Sequence, residues 1–193
     1  EECDGHDFGQ VTCRDFGLFR GELRCDAGCR IDASGCLGIK SVAVGVHGAC
    51  AVDVEGRTWC WGNNEDTMLP ALSATPGEVE DIPGLDQVHV GRLFACGLDE
   101  ERTAWCWGWL SLMGIGAIGG GAAVPLPLPV DGGRSYLSLS VGYSHTCGVD
   151  VEGVVWCWGE NDEWQCGVLD GGVLQQVLYP ARDQTEARFT QVA

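Results

Sequence analysis

Cys147 to Gly159 reads C-G-V-D-V-E-G-V-V-W-C-W-G, and the chain carries this stretch three times. The other copies are Cys50 to Gly62, C-A-V-D-V-E-G-R-T-W-C-W-G, and Cys96 to Gly108, C-G-L-D-E-E-R-T-A-W-C-W-G. They are offset by 46 and 51 residues. A unit recurring every 40 to 50 residues or so indicates a propeller or a solenoid. Each copy reads as a β-hairpin. Folding the first about Glu55 sets Cys50 opposite Cys60, Ala51 opposite Trp59 and Val52 opposite Thr58. Facing residues of antiparallel strands have Cα atoms about 4.5–5.5 Å apart, within reach of a disulfide. The spacing therefore predicts bridges Cys50–Cys60, Cys96–Cys106 and Cys147–Cys157. Trp59 and Trp61 share the opposite face, where they would fill the space between sheets.

The rest of the chain agrees with an all-β reading. It is 45% hydrophobic, with 30 Gly, 12 Cys and 8 Trp among 193 residues. No run of about 18 apolar residues exists, so no transmembrane segment is expected. The formal charge is −17, and Lys40 is the single lysine. Such a chain lacks the cations that neutralise phosphates, which excludes nucleic acid as a partner. Cysteine at this density points to an oxidising compartment.

Residues 1–38 form a separate cysteine-rich unit, and 39–193 hold the repeats plus the start of a fourth, Thr190-Gln191-Val192-Ala193. The first unit is too short for a hydrophobic core and needs covalent staples. Bridges among Cys13, Cys25, Cys29 and Cys36 are expected with open connectivity, leaving Cys3 over. A four-thiolate zinc site from those four cysteines is the competing reading, but its spacing lacks two close pairs. Asp4, Asp7, Asp26 and Asp32 read as turn residues rather than calcium ligands. A tetrapeptide slot follows each W-C-W-G: Thr67-Met68-Leu69-Pro70, Met113-Gly114-Ile115-Gly116 and Trp164-Gln165-Cys166-Gly167. The last strand of the first unit is placed at Glu78 to Ile82.

Motifs of copy three carry a resemblance: Val141, Gly142, His145, Cys147, Asp150, Gly153, Trp156, Trp158, Gly159, Asn161, Gln165 and Gly167. These resemble the regulator-of-chromosome-condensation (alpha-tubulin suppressor-like) repeat family, over residues 39 to 193. Copy two departs from the pattern, with Phe94 for His and Arg102 for Gly. The resemblance implies a β-propeller of seven four-stranded blades. The expected fold is thus all-β, about three blades of that seven behind a small disulfide-rich module, the remaining blades lying on a longer chain. Glu1 to Gly5, Thr12-Cys13, Gly21 to Cys25, Cys29 and Asp32 to Cys36 resemble a cysteine-rich module of myxobacterial secreted proteins. In that pattern a cysteine precedes Glu1, so residue 1 reads as a cut point, with a lipid anchor conceivable upstream.

Sites of chemistry are sparse. His145 and Cys147 sit at i and i+2 on a strand, but a bridged Cys147 is no thiolate, and His145 reads as a hydrogen-bonding spacer between blades. Cys166 reads as a small buried hydrophobe. Asp53, Asp99 and Asp150 recur beside Glu55, Glu101 and Glu152; recurrence in every unit speaks for turn chemistry over paired-carboxylate catalysis. Gly119-Gly120-Gly121 lacks the Lys of a phosphate cradle. No catalytic residue, cofactor or metal is expected. The chain reads as a non-enzymatic, extracellular or cell-surface binding protein that meets a protein or glycan through loops within Glu65–Ile82, Trp109–Gly133 and Glu160–Gln184. The family resemblance implies the alternative, guanine-nucleotide exchange on a small GTPase.

Overall fold

A computed structural model describes residues 3, 7–62, 73–109, 123–130, 132–167, 176–182 and 187–192. The slots at 67–70 and 113–116, the glycines at 119–121, Asp4 and much of the loop segments lie outside the described residues.

The amino-terminal unit has a 3-10 turn, Cys13–Phe16, and four two-residue strands: β1 (Arg20–Gly21), β2 (Arg24–Cys25), β3 (Ile31–Asp32) and β4 (Cys36–Leu37). β1 pairs with β4 and β2 with β3, both antiparallel. Cys13, Leu23 and Cys36 make its small core, with Phe8, Leu18, Ile31 and Ala33 against them. So little apolar area cannot hold a chain by itself, and two bridges do: Cys3–Cys25 and Cys13–Cys36. This corrects the reading of the cysteines. Cys29 was expected in a bridge and Cys3 outside one; the two exchange places, and Cys29 is free. Cys29 sits in a tight turn at φ 59°, its N–H bonded to Asp26 O, while β2 carries Cys25 toward Cys3. The bridges also consume three of the four thiolates of the alternative zinc site. Asp7, Asp26 and Asp32 each accept a backbone N–H two residues on, which is turn chemistry.

Three four-stranded antiparallel meanders follow. The first is β5 (Ile39–Val44), β6 (Gly48–Asp53), β7 (Thr58–Gly62) and β8 (Ser73–Glu78). The second is β9 (Leu85–Val90), β10 (Phe94–Asp99), β11 (Ala104–Trp109) and β12 (Ala123–Pro129). The third is β13 (Tyr136–Val141), β14 (His145–Asp150), β15 (Val155–Glu160) and β16 (Gln176–Arg182). These are propeller blades. From blade to blade, β9 lies against β5 and β6, and β13 against β10 and β9. The central hairpins pair as the spacing predicts, Cys50 with Cys60, Cys96 with Cys106 and Cys147 with Cys157, and each pair is bridged with Cα atoms 4.1 Å apart.

The fourth strand of the first blade is Ser73–Glu78, before the place expected for it. It reads S-A-T-P-G-E, and its counterpart in the second blade reads A-V-P-L-P-L-P. An outer edge strand needs no ladder on its free side and so tolerates proline.

The blades stack through two apolar layers. Cys50, Cys60, Val52 and Val79 of the first blade meet Leu85, Val88, Val90, Ala95 and Trp107 of the second. Cys96, Cys106, Phe94 and Leu98 of the second meet Tyr136, Leu139 and Trp158 of the third. The bridges of the first two blades thus face the following blade, and Trp107 and Trp158, the second tryptophans of the second and third W-C-W-G motifs, face the preceding one. The glycine of that motif is compulsory. A Cβ at Gly108, φ 112°, would come within 2.5 Å of Leu93 O; at Gly62 and Gly159 the same clash recurs with His47 O and Ser144 O. The opening turns and the third strands pass too closely for any side chain.

Residues 187–192 begin the same pattern again. Phe189 N donates to Gly153 O as Leu85 N does to Gly56 O. Val192 N donates to Ser138 Oγ as Val88 N does to Ser41 Oγ. Val192 therefore occupies the place of Val88, two positions from where the aligned sequence put it.

Candidate functional site

The recurring carboxylates serve the hairpin tips. Asp53 Oδ1 accepts the N–H groups of Glu55 (2.9 Å) and Arg57 (3.0 Å), and its Oδ2 accepts the Trp59 indole N–H at 3.0 Å. Asp150 repeats this with Glu152, Val154 and Trp156 at 2.9, 2.8 and 2.6 Å. Asp99 accepts from Thr103 N and the Trp105 indole at 2.7 and 2.8 Å. All three aspartates are buried. Burial works against the charged form of Asp53 and Asp150, but their hydrogen bonds outweigh it and hold both carboxyls below the ordinary value. A carboxylate whose oxygens are committed in this way is no general base. The glutamates beside them project from the tips. The first tryptophan of each motif is thus latched to its own tip; Trp105 and Trp156 also flank the layers between blades, while Trp107 and Trp158 are wholly buried within them.

The other candidate groups fall into structural places. His145 packs its ring against Gly142, where a Cβ would lie 2.4 Å from Cε1, and burial lowers its pKa. It is a spacer, as expected, but its ring makes no hydrogen bond among the described residues. Cys166 is buried and free; its N–H bonds Asn161 Oδ1 at 2.9 Å, and burial pushes its thiol up to about 12.

Open surfaces among the described residues include the following. On the tip side, a cleft of about 270 Å³ is lined by Arg134, Ser135, Asp150, Val151, Glu152 and Trp156, with the Arg134 guanidinium 3.6 Å above the Trp156 ring. On the opposite side, the turns closing each inner strand meet near the axis: Gly45-Val46-His47, Gly91-Arg92-Leu93 and Gly142-Tyr143-Ser144. Their glycines let them step past one another, because a Cβ at Gly45 would lie 2.3 Å from Gly91 O, and one at Gly91 3.0 Å from Gly142 O. Arg92 N donates to Tyr143 O at 3.0 Å, and the Arg92 guanidinium lies 5.1 Å from the Tyr143 ring centroid. Arg92 Nε is enclosed without an acceptor. Val46 and Tyr143 are exposed beside it. Sequence reasoning missed this surface, although one signal was present: the same turn position, two after the last inner-strand residue, holds Val, Arg and Tyr in successive copies.

Residues 137–165 match the family described as regulator of chromosome condensation (RCC1) repeat, a span that runs from β13 through the Asn161 turn. The fold is that of RCC1-type propellers. Yeast RCC1 (Prp20), in a structure bound to Kap60, superposes with a TM-score of 0.68 at 17% identity, over 80% of this chain and 39% of the other. Prp20p from Saccharomyces cerevisiae, in a structure concerned with its binding to Gsp1p and histones, gives 0.69 at 17% identity, over 80% and 41%. Human WBSCR16 gives 0.66 at 18%, over 79% and 41%. The chain therefore spans about two-fifths of each of these proteins. One curated protein, the acetylcholinesterase collagenic tail peptide of Torpedo marmorata, is 53% identical over 38 residues, 19% of this chain and 8% of that one. No helix among the described residues is long and apolar enough to cross a membrane.

Proposed function

We propose that this chain belongs to an extracellular or cell-surface binding protein that presents propeller turns and loops to a protein or glycan and performs no covalent chemistry. The observation that carries the reading is one closed cystine per blade, with two more in the amino-terminal unit. Disulfides at this density persist in oxidising compartments. The likeness of residues 1–38 to the myxobacterial module is part of the same proposal, as is their standing as a unit apart from 39–193. Closed bridges occupy the hairpin cysteines and hydrogen bonds occupy the recurring aspartates, which supports a recognition role.

The likeness to Prp20p favours a second reading, regulation of a small GTPase by nucleotide exchange. Fold alone does not fix function, and a cystine in every blade suits the reducing cytosol poorly. Cystine mapping by mass spectrometry separates the two, on protein from its native source with thiols trapped before lysis. Bridged hairpins are expected. Six free thiols at those positions would overturn the extracellular reading, and a nucleotide-exchange assay would then test the other.

A further inference from the structure

We propose that the axial turn surface of Val46, Arg92 and Tyr143 docks a protein segment presenting a single carboxylate between apolar side chains, with Arg92 receiving the carboxylate. This rests on the binding reading above and names a site and a partner chemistry for it.

Three observations converge on Arg92. It is one of 11 basic residues against 28 acidic ones, yet its side chain makes no ion pair or hydrogen bond among the described residues. Lys40 pairs with Asp86, Arg57 with Asp53 and Glu55, and Arg134 stands beside Asp150 and Glu152, while Arg102, Arg182 and Arg188 are exposed to water; Arg92 alone of the described arginines has an enclosed nitrogen without an acceptor. A half-buried guanidinium left without an acceptor, in a chain so rich in carboxylates, is costly. Second, its position is fixed. Its own N–H is bonded to Tyr143 O while its guanidinium lies over the Tyr143 ring, so backbone and side chain are tied to the next blade. Arginine stacked in this way meets a carboxylate with little further loss of freedom. Third, its neighbours are apolar and bring no competing charge. Val46 is 56% and Tyr143 54% exposed, and no carboxylate lies in the three turns.

These features decide the form of the ligand. A protein of charge −17 repels an acidic tract at long range, so an acidic run is disfavoured. One carboxylate flanked by apolar residues meets Arg92 with a charge-assisted pair and covers Val46 and Tyr143 with carbon.

The test is a display selection of random linear peptides on the immobilised full chain, with an Arg92→Gln variant of matching thermal stability as counter-target. Enriched peptides should hold one Asp or Glu between apolar residues. Each should lose about tenfold or more in affinity on Arg92→Gln, and likewise when its own acid is replaced by the amide. Arg92→Lys, which keeps the charge without the fork, should fall in between. Peptides that lack a carboxylate, or that bind Arg92→Gln equally well, would overturn the site and leave the binding reading standing. Failure to enrich any peptide would overturn the site as well, while cystine mapping judges the extracellular reading separately. Capture of glucuronate-terminated glycans without peptide enrichment would overturn it in favour of a carbohydrate ligand.

Discussion

The Trp156 indole nitrogen donates to Asp150 Oδ2 across 2.6 Å, six residues back along the chain. The same latch joins Trp105 to Asp99 and Trp59 to Asp53. It ties the returning strand of each hairpin to its tip with a buried, charge-assisted bond, the kind roughly twice as strong as a neutral one.

Replacing Asp150 by Asn turns an amide donor toward the indole donor or forfeits the two backbone bonds. Asp150→Asn should cost about 1–3 kcal/mol in urea unfolding followed by tryptophan fluorescence. Trp156→Phe, which removes the indole donor and keeps an aromatic ring, should cost less. Equal stability of Asp150→Asn and the parent would show that the latch contributes nothing.

Acid should weaken the fold in two stages. Burial lowers the pKa of His89 and His145, so the unfolded chain binds protons that the folded one refuses, and stability falls as pH drops through the ordinary value of 6.5. Asp53 and Asp150 are depressed by their hydrogen bonds against the cost of burial. Their contribution is full above the ordinary value of 3.8 and is lost as pH falls through the folded values beneath it. Thermal melts between pH 7.5 and 2.5 should show both declines. The double variant His89→Gln/His145→Gln should flatten the first and leave the second.

The central bridge joins Cys96 and Cys106 at a sequence separation of 10. On the chain-entropy account, Cys96→Ala with Cys106→Ala should cost about 2–3 kcal/mol in denaturant unfolding. Both sulfurs are wholly buried between blades, so reductant should open this bridge only after unfolding. Rapid reduction in native buffer would contradict the packing.

Thiol labelling separates the two free cysteines. Cys29 is half-buried in a surface turn, whereas Cys166 is enclosed with its thiol pushed up to about 12 by burial. Iodoacetamide at pH 8 should modify Cys29 in the native protein and Cys166 only in denaturant, as peptide mapping would reveal. Native labelling at Cys166 would place it outside the core.

Hairpins, register and blade bridges were legible because a two-residue period and a ten-residue spacing admit one pairing. Two things were not. The pairing of Cys3 with Cys25 depends on how β1 to β4 fold around Leu23, and five cysteines in so short a span allow many alternatives. The outer strand Ser73–Glu78 hides among Pro and Gly because an edge has no period of its own to keep. The indole latch lay in plain sight as Asp-x5-Trp in all three copies, but donor direction depends on strand twist, which a sequence does not print. Arg92 stands apart from these because its partner, Tyr143, comes from another blade.

Every blade bridge joins cysteines ten residues apart. In the oxidising compartment proposed above, each correct pair would lie side by side before the next blade has been synthesised. Sorting among distant cysteines is confined to the first 36 residues, so the repeats can mature in order of synthesis with little need for an isomerase.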